Sequence, residues 1–553
     1  MSAARIRARL LGPWSAAALL VAALVALPVL VVLSHVTADS DGVWEHLAAT
    51  VLPDYLGNTA RLLLGVGAGT AALGVATAWL VTLYRFPGRR VLSWALLLPL
   101  AMPTYLMAYT YTDLLQFSGP LQSGLRETFG WERGDYWFPE IRSVGGAVVT
   151  FTLVLYPYVY LLARAAFLEQ SVCVLEVSRT LGCGPFRAFR AVALPLARPA
   201  VVAGTTLALM ETLAEYGAVD YFAVDTFTTG IYRTWTAMGS PEAASQLAAV
   251  LVLMVFVLLV LERLGRGRRR FHHTTGRYRE LRPPELRGWR RGAVPLLLLV
   301  PVAGGFGLPV AVLLGMALEA DHTLAWGGVP TLVGNSVTLA LATSALVVAL
   351  GLLIAYGGRL ERGPLMRLGA RVVSLGYAVP GSVAAVGVLI TTAAFTRMTG
   401  VYLGGTLVGL VFAYAVRFSS LSLQTLEASL QKISPSLDQA ARTLGRGPGG
   451  VLVRVHSPLM RGSLFTAALL VFVDVMKELP ATMIARPFDF DTLAVQVHRY
   501  ASDERLAQSA VPALLIVAAG LAPVILLSRA IDRSRAGRTG PAPDPGPEPL
   551  PAA

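Results

Sequence analysis

The chain has 553 residues, of which 55% are hydrophobic and only 14% charged, and its mean hydropathy is +0.61. A soluble domain carries about 25% charged residues, so this composition excludes an ordinary globular protein. The net charge of +13 comes from 46 Lys and Arg against 33 Asp and Glu; the positive residues sit in short loops between apolar runs, which assigns them to membrane orientation rather than nucleic-acid binding.

Arg5, Arg7 and Arg9 precede an apolar stretch from Trp14 to Leu33. A signal peptide begins in the same way, but this stretch is long enough to span and no clear A-x-A site follows, so it reads as a retained first helix. The charge-free runs Ala16 to Leu33 and Leu62 to Tyr84 have the length of membrane-spanning helices. About twelve spans follow, near 14–34, 61–83, 92–112, 145–168, 199–221, 245–262, 293–317, 336–357, 369–393, 404–424, 463–485 and 508–528.

Loop charge sets the expected orientation. Arg85 to Arg90 holds three Arg, Arg263 to Arg291 holds eleven, and Arg359, Arg362 and Arg367 lie in a later loop of the same parity. The opposite loops His35 to Thr59 and Glu319 to Asn335 contain neither Lys nor Arg. Both termini are therefore expected in the cytoplasm. The Arg-rich segment 263–292 reads as a cytoplasmic linker, with a lipid-headgroup contact as the second reading, and the Pro-rich tail 536–553 reads as disordered. Cys173 and Cys183 are too few for a disulfide framework or a Cys-type zinc site. His272 and His273 fall in the linker, and His498 near the outer face.

The two halves repeat. Gly57-Asn58-Thr59 and Gly334-Asn335-Ser336 are offset by 277 residues, as are Pro103 and Pro380; later landmarks are offset by 263, which places about fourteen extra residues in the first half, expected in the loop around Asp113 to Arg142. The expected fold is an all-α integral membrane protein of two homologous six-helix halves. The first occupies 1–262 with a core of 57–262, the second 293–535 with a core of 334–528. Duplicated halves of equal parity imply a pseudo-two-fold axis along the membrane normal and a pathway between them.

One loop reads Glu176-Val177-Ser178-Arg179-Thr180-Leu181-Gly182, then nine residues, then Val192-Ala193-Leu194-Pro195; its partner reads Gln439-Ala440-Ala441-Arg442-Thr443-Leu444-Gly445, then nine residues, then Val455-His456-Ser457-Pro458. A short helix stopped by Gly, with Pro where the chain turns into the next span, is a sensible rigid element. The pair resembles the EAA loops of ABC importer permeases, of the MetI-like fold. That resemblance implies coupling helices near 173–188 and 436–451 that dock on two copies of a separate ATPase subunit, and delivery of substrate by an extracytoplasmic binding protein. The chain departs from the pattern at Val177, Ser178, Gln439 and Ser457. It contains no G-x-x-x-x-G-K-[ST], so ATP is expected on the partner, and this subunit is expected to be a non-enzyme without a bound cofactor.

The span after each loop carries acids: Glu211, Glu215 and Asp220 in one, Asp474 and Glu478 with Lys477 in the other. Glu211 matches Asp474, and Glu215 matches Glu478, at offset 263. Acids four apart are expected to share a helix face. They read either as a cation-tolerant or gating pathway surface or as inter-helix packing with Lys477 neutralising Asp474. The strings Ala214-Glu215-Tyr216-Gly217-Ala218-Val219-Asp220-Tyr221-Phe222 and Lys477-Glu478-Leu479-Pro480-Ala481-Thr482 resemble the single-chain, twelve-span ferric iron permeases, which implies Fe³⁺ import in the inner membrane; thiamine, polyamine and phosphonate permeases share the architecture. A proton-coupled secondary transporter is the competing class, and no paired nucleophile and base supports a membrane enzyme.

Overall fold

The computed structural model describes residues 12–169, 184–266, 285–319, 328–361 and 363–536. Among these the chain is helical throughout, with one isolated bridge between Arg85 and Glu285. The principal helices are α1 (Pro13–Ser34), α2 (Leu52–Leu83), α3 (Thr104–Leu115), α4 (Val144–Glu169), α5 (Leu194–Ala214), α6 (Phe227–Thr236), α7 (Pro241–Arg266), α8 (Arg290–Val302), α9 (Leu308–Glu319), α10 (Val329–Leu360), α11 (Gly381–Thr399), α12 (Leu407–Leu430), α13 (Pro435–Thr443), α14 (Arg461–Met476), α15 (Leu493–Ser502) and α16 (Leu506–Ala536). Ten of the described helices are long and apolar enough to cross a membrane, or twelve if two bent pairs each count as one span.

The burial pattern is that of a bundle in lipid. Leu64, Leu253, Phe256, Leu296 and Phe465 point outward, while Thr70, Thr343, Ser419, Ser420 and Ser422 are buried inside. With apolar tails outside, the interior is held by close packing rather than by exclusion of water. A Cβ on Gly74 of α2 would come within 2.6 Å of the Val159 Cβ on α4, and one on Gly351 of α10 within 2.4 Å of the Ser422 Oγ on α12. These two contacts correspond at offsets 277 and 263, so the repeat extends to packing. α4 and α12 begin 263 residues apart, which puts the extra residues between Pro103 and Val144, where a helix at Pro120–Phe129 fills the loop.

Four expected spans are broken rather than continuous. Arg89–Ala101 and Thr104–Phe129 meet at 92°; in the second half Pro364–Ser374 gives way to α11 after a short 3-10 turn. Pro103 and Pro380 are the N-caps of α3 and α11, because a fixed φ and a missing N–H suit a helix start better than its interior. The spans expected at 199–221 and 463–485 end at Ala214 and Met476, each followed by a short helix, Gly217–Tyr221 and Pro480–Ala485. The tail from 537 and residues 267–284 of the linker lie outside the described residues.

The halves are interlocked. α1 packs on Pro364–Ser374, α10 and α11 of the second half, whereas α8 and α9 lie against α3, α4 and Arg89–Ala101 of the first. Glu361 fixes the first exchange by accepting the backbone N–H of Ser15 at 2.8 Å and of Trp14 at 3.3 Å, with the Ser15 hydroxyl at 2.5 Å. A Cβ on Gly387 would meet the Pro28 carbonyl oxygen at 2.3 Å. Gly387→Leu is therefore expected to force α1 off the second half and destabilise the protein by about 1–3 kcal/mol, the usual cost of overpacking, read as a lower melting temperature in detergent.

Candidate functional site

The two broken helices of each half point their breaks at one another. Between them lies a cavity of about 90 Å³, walled by Glu211, Glu215, Asp474 and Glu478, by Arg417 and Lys477, and by Tyr105, Tyr158 and Tyr377. All four acids singled out in the sequence thus converge, but not as two helix faces. Glu215 is the C-cap of α5, with extended backbone at φ −72°, ψ 135°, and Glu478 follows the C-cap of α14. The helix ends between the two acids of each pair, so the shared-face expectation is corrected.

Each acid has a defined partner. Glu215 accepts the Thr104 hydroxyl and, at 3.1 Å, the N–H of Ala218. Glu478, whose side chain is 2% exposed, accepts the N–H groups of Ala481 at 2.9 Å and Thr482 at 3.1 Å and the Thr482 hydroxyl at 2.8 Å. Both therefore hold the start of a short helix, where unpaired amides favour a carboxylate. Glu211 accepts the Tyr377 hydroxyl at 2.6 Å. Asp474 pairs with Lys477 at 3.0 Å, as i, i+3 spacing allows. The acids both support the packing and line the cavity.

Sequence reasoning missed Arg417. Its guanidinium lies 3.6 Å from Glu211 and 3.4 Å from Glu478 and so bridges the halves. An ionisable residue in the middle of α12 was the available signal. The repeat makes its placement asymmetric: the position equivalent to Arg417 is Val154, and the position equivalent to Tyr377 is Leu100, both on the cavity wall. Likewise Thr104, which serves Glu215, corresponds to Gly381. A Cβ there would lie 2.6 Å from the Glu478 Oε1 and 3.1 Å from the Arg417 Nη1, so the glycine clears the space that the ion pair fills. His498, expected near the outer face, is buried, with Nδ1 2.6 Å from the Tyr109 hydroxyl and Nε2 3.6 Å from Asp220. Among the described residues no group of three His, Cys, Asp or Glu side chains could hold a metal ion.

The second of the two matched loops is resolved in full. Ser434 caps α13, with Pro435 in its first turn. Gly445 has φ +75°, the left-handed conformation expected of a helix-stopping glycine. Gln439, Ala440 and Gly445 are exposed and Ala441 is buried, while Leu437 and Leu444 present apolar side chains outward. Asp438 ties α13 to the bundle: it accepts the Arg359 Nε at 2.6 Å and contacts the His456 Nε2 at 2.6 Å. Arg359 also donates to the carbonyls of Leu430 at 2.8 Å and Ser434 at 3.1 Å. Burial opposes the Asp438 charge, but the Arg359 hydrogen bond and charge, with His456, outweigh it and hold the carboxyl below its usual pKa. In the first loop, Glu176 and Gly182 lie outside the described residues, as do Cys173 and Cys183. Leu194 is half-buried and Pro195 exposed at the start of α5. A π-helical turn precedes both prolines, Phe189–Ala193 before Pro195 and Leu452–His456 before Pro458, again 263 residues apart. The continuations differ: the chain runs straight into α5, but Pro448–Leu459 meets α14 at 80°.

Residues 70–267 match the family described as "Binding-protein-dependent transport system inner membrane component". The Fe(3+)-transport system permease protein FbpB 2 of Haemophilus influenzae is 26% identical over 495 residues, covering 88% of this chain and 91% of that one. Over most of its length the chain is similar to the binding-protein-dependent importer permeases. The molybdenum transport system permease protein ModB of Escherichia coli is 28% identical over 35% of this permease and 84% of its own length. The putative 2-aminoethylphosphonate transport system permease protein PhnU of Salmonella choleraesuis is 27% identical over 38% of this permease and 74% of its own length. With ten to twelve helices able to cross a membrane and relatives that are all transport permeases, the chain is a multi-pass membrane permease. Gly381→Ala, which pushes a methyl group between Glu478 and Arg417, is expected to lower its transport about tenfold, equivalent to about 1.4 kcal/mol of barrier, measured as substrate uptake in proteoliposomes.

Proposed function

We propose that the permease imports ferric iron, released by an extracytoplasmic binding protein and driven by two copies of a separate ATPase. The observation that carries the cation reading is the cavity between the halves, where four carboxylates face two cations. Fe³⁺ is a hard ion suited to oxygen ligands, by extension of the rule for hard cations, and transport needs contacts weak enough for the ion to leave. The full-length likeness to an iron permease supports the same substrate.

The mechanism is alternating access. The ATPases close on ATP, and the coupling helices near 173–188 and 436–451 carry that motion into the two halves, which rock about the central axis. The exposed Leu437 and Leu444 give the second coupling helix an apolar face for its partner. Both termini lie in the cytoplasm, on the side of the Arg-rich loops and α13. The contact of Glu361 with Trp14 and Ser15 supports this by placing the start of α1 beside the end of α10.

Reconstitution with the ATPase and binding protein tests the reading. ATP-dependent uptake of labelled iron is expected. Uptake of molybdate, sulfate or 2-aminoethylphosphonate in place of iron would refute the substrate, and uptake driven by a proton gradient without the ATPase would refute the class.

A further inference from the structure

Arg417 is held in an unusual way for a buried charge. Its side chain is 11% exposed, its two carboxylate contacts are 3.4 and 3.6 Å long, and its Nε has no hydrogen-bond partner among the described residues. A charge-assisted N–H···O bond is normally about 2.7–2.9 Å, as Arg359 achieves with Asp438 at 2.6 Å. Taking a guanidinium out of water is costly unless its contacts are good, and these are loose. The fold itself does not demand a cation here, since the equivalent residue of the other half is Val154. The Tyr105 hydroxyl, on the wall of the same cavity, is also buried without a partner. Four carboxylates against Arg417 and Lys477 leave two negative charges in excess when all are ionised. The site is therefore built with unspent polar capacity, and the Arg417 bridge between the halves is poorly seated.

We infer that Arg417 is the resident counter-ion of the cavity: it bridges Glu211 and Glu478 when cargo is absent and gives them up to a hard multivalent cation when cargo arrives. The inference rests on the cation-import reading. It supplies the selectivity that reading needs. A univalent ion brings no more charge than the guanidinium and fewer hydrogen bonds, so it does not displace Arg417, whereas a trivalent ion competes for both carboxylates at once. Arg417 is thus a gating and specificity residue, and the bridge keeps the halves together until the right charge enters.

The test uses the permease reconstituted with its ATPase and binding protein. Spin labels at the exposed positions Met238 and Phe488, one per half, report separation of the halves. Arg417→Gln is expected to leak sodium without ATP about tenfold faster than the parent protein, the effect of losing one hydrogen-bonded charge contact, and to broaden the label distance; Arg417→Lys, which keeps the charge but not the two-armed fork, is expected to leak less than Arg417→Gln and more than the parent. In the parent protein, ferric ion buffered with nitrilotriacetate is expected to broaden the same distance, and sodium is not. A tight Arg417→Gln variant with an unchanged label distance would overturn the inference. So would a parent protein whose label distance ignores ferric ion, a measurement that stands even if Arg417→Gln does not fold. Import of an oxyanion instead of iron would sink the substrate reading, while the sodium leak would still report the latch by itself.

Discussion

Replacing Glu478 with alanine is expected to destabilise the permease by about 3–5 kcal/mol, the cost of removing one partner from a buried ion pair, and to abolish import. Glu478 satisfies two backbone amides and one hydroxyl at the start of Pro480–Ala485 and faces Arg417. Alanine orphans all of these around a buried side chain. Glu478→Gln separates the two roles. Its amide oxygen can still accept from one of the two amides, which bond different oxygens of Glu478, and Arg417 retains Glu211 at 3.6 Å, so less stability is expected to be lost than with alanine while uptake falls. Thermal melts in detergent measure the first effect and proteoliposome uptake the second. A Glu478→Gln variant that imports at the parental rate would show that this carboxylate only packs.

Asp438→Ala is expected to uncouple ATP hydrolysis from transport, lowering substrate-stimulated turnover about tenfold without changing the binding of substrate to the binding protein. The contacts with Arg359 and His456 make α13 and α10 one rigid piece. Loss of a hydrogen bond to a charged group is worth about 1.5–3 kcal/mol, enough for at least a tenfold change. Asp438→Asn, which still accepts from the Arg359 Nε, is expected to lose less. The pH dependence follows from the lowered pKa of Asp438. A carboxyl with a depressed folded-state value contributes fully above its ordinary value of 3.8 and is lost only as pH falls through the lower one. Its contribution to coupling should therefore be flat across neutral pH, read by ATPase assays of the assembled complex.

Much of this was legible in the sequence because it is local or repeated. Charge-free runs announced the spans, and two offsets, 277 and 263, located matching elements before any contact was known. Gly445 could be assigned a helix-stopping role from its spacing, and it adopts φ +75°. The convergence of Glu211, Glu215, Asp474 and Glu478 also followed from duplication about an axis. Their geometry did not. A helix drawn through Glu215 or Glu478 looks as apolar as one that stops there, and the break depends on packing across the interface. Pro103 and Pro380 were visible as residues but were read inside spans, although their fixed φ and absent N–H made them helix starts.

Sequence alone therefore determined the class: a duplicated, membrane-embedded helical chain with a paired, Gly-stopped loop and acids in its helices. Hydropathy, loop charge and spacing are properties of neighbouring residues, so they survive in one dimension. Tertiary structure decided that α1 docks on the second half and α8 and α9 on the first, that the acid-bearing helices break at the cavity, and that Arg417 stands between Glu211 and Glu478. Those are contacts between residues some 60 to 350 positions apart. An apolar helix carries no local mark of which neighbour it will meet; shape at Gly387 and Gly381, and the need of a buried charge for a partner, make that choice only once the helices are assembled.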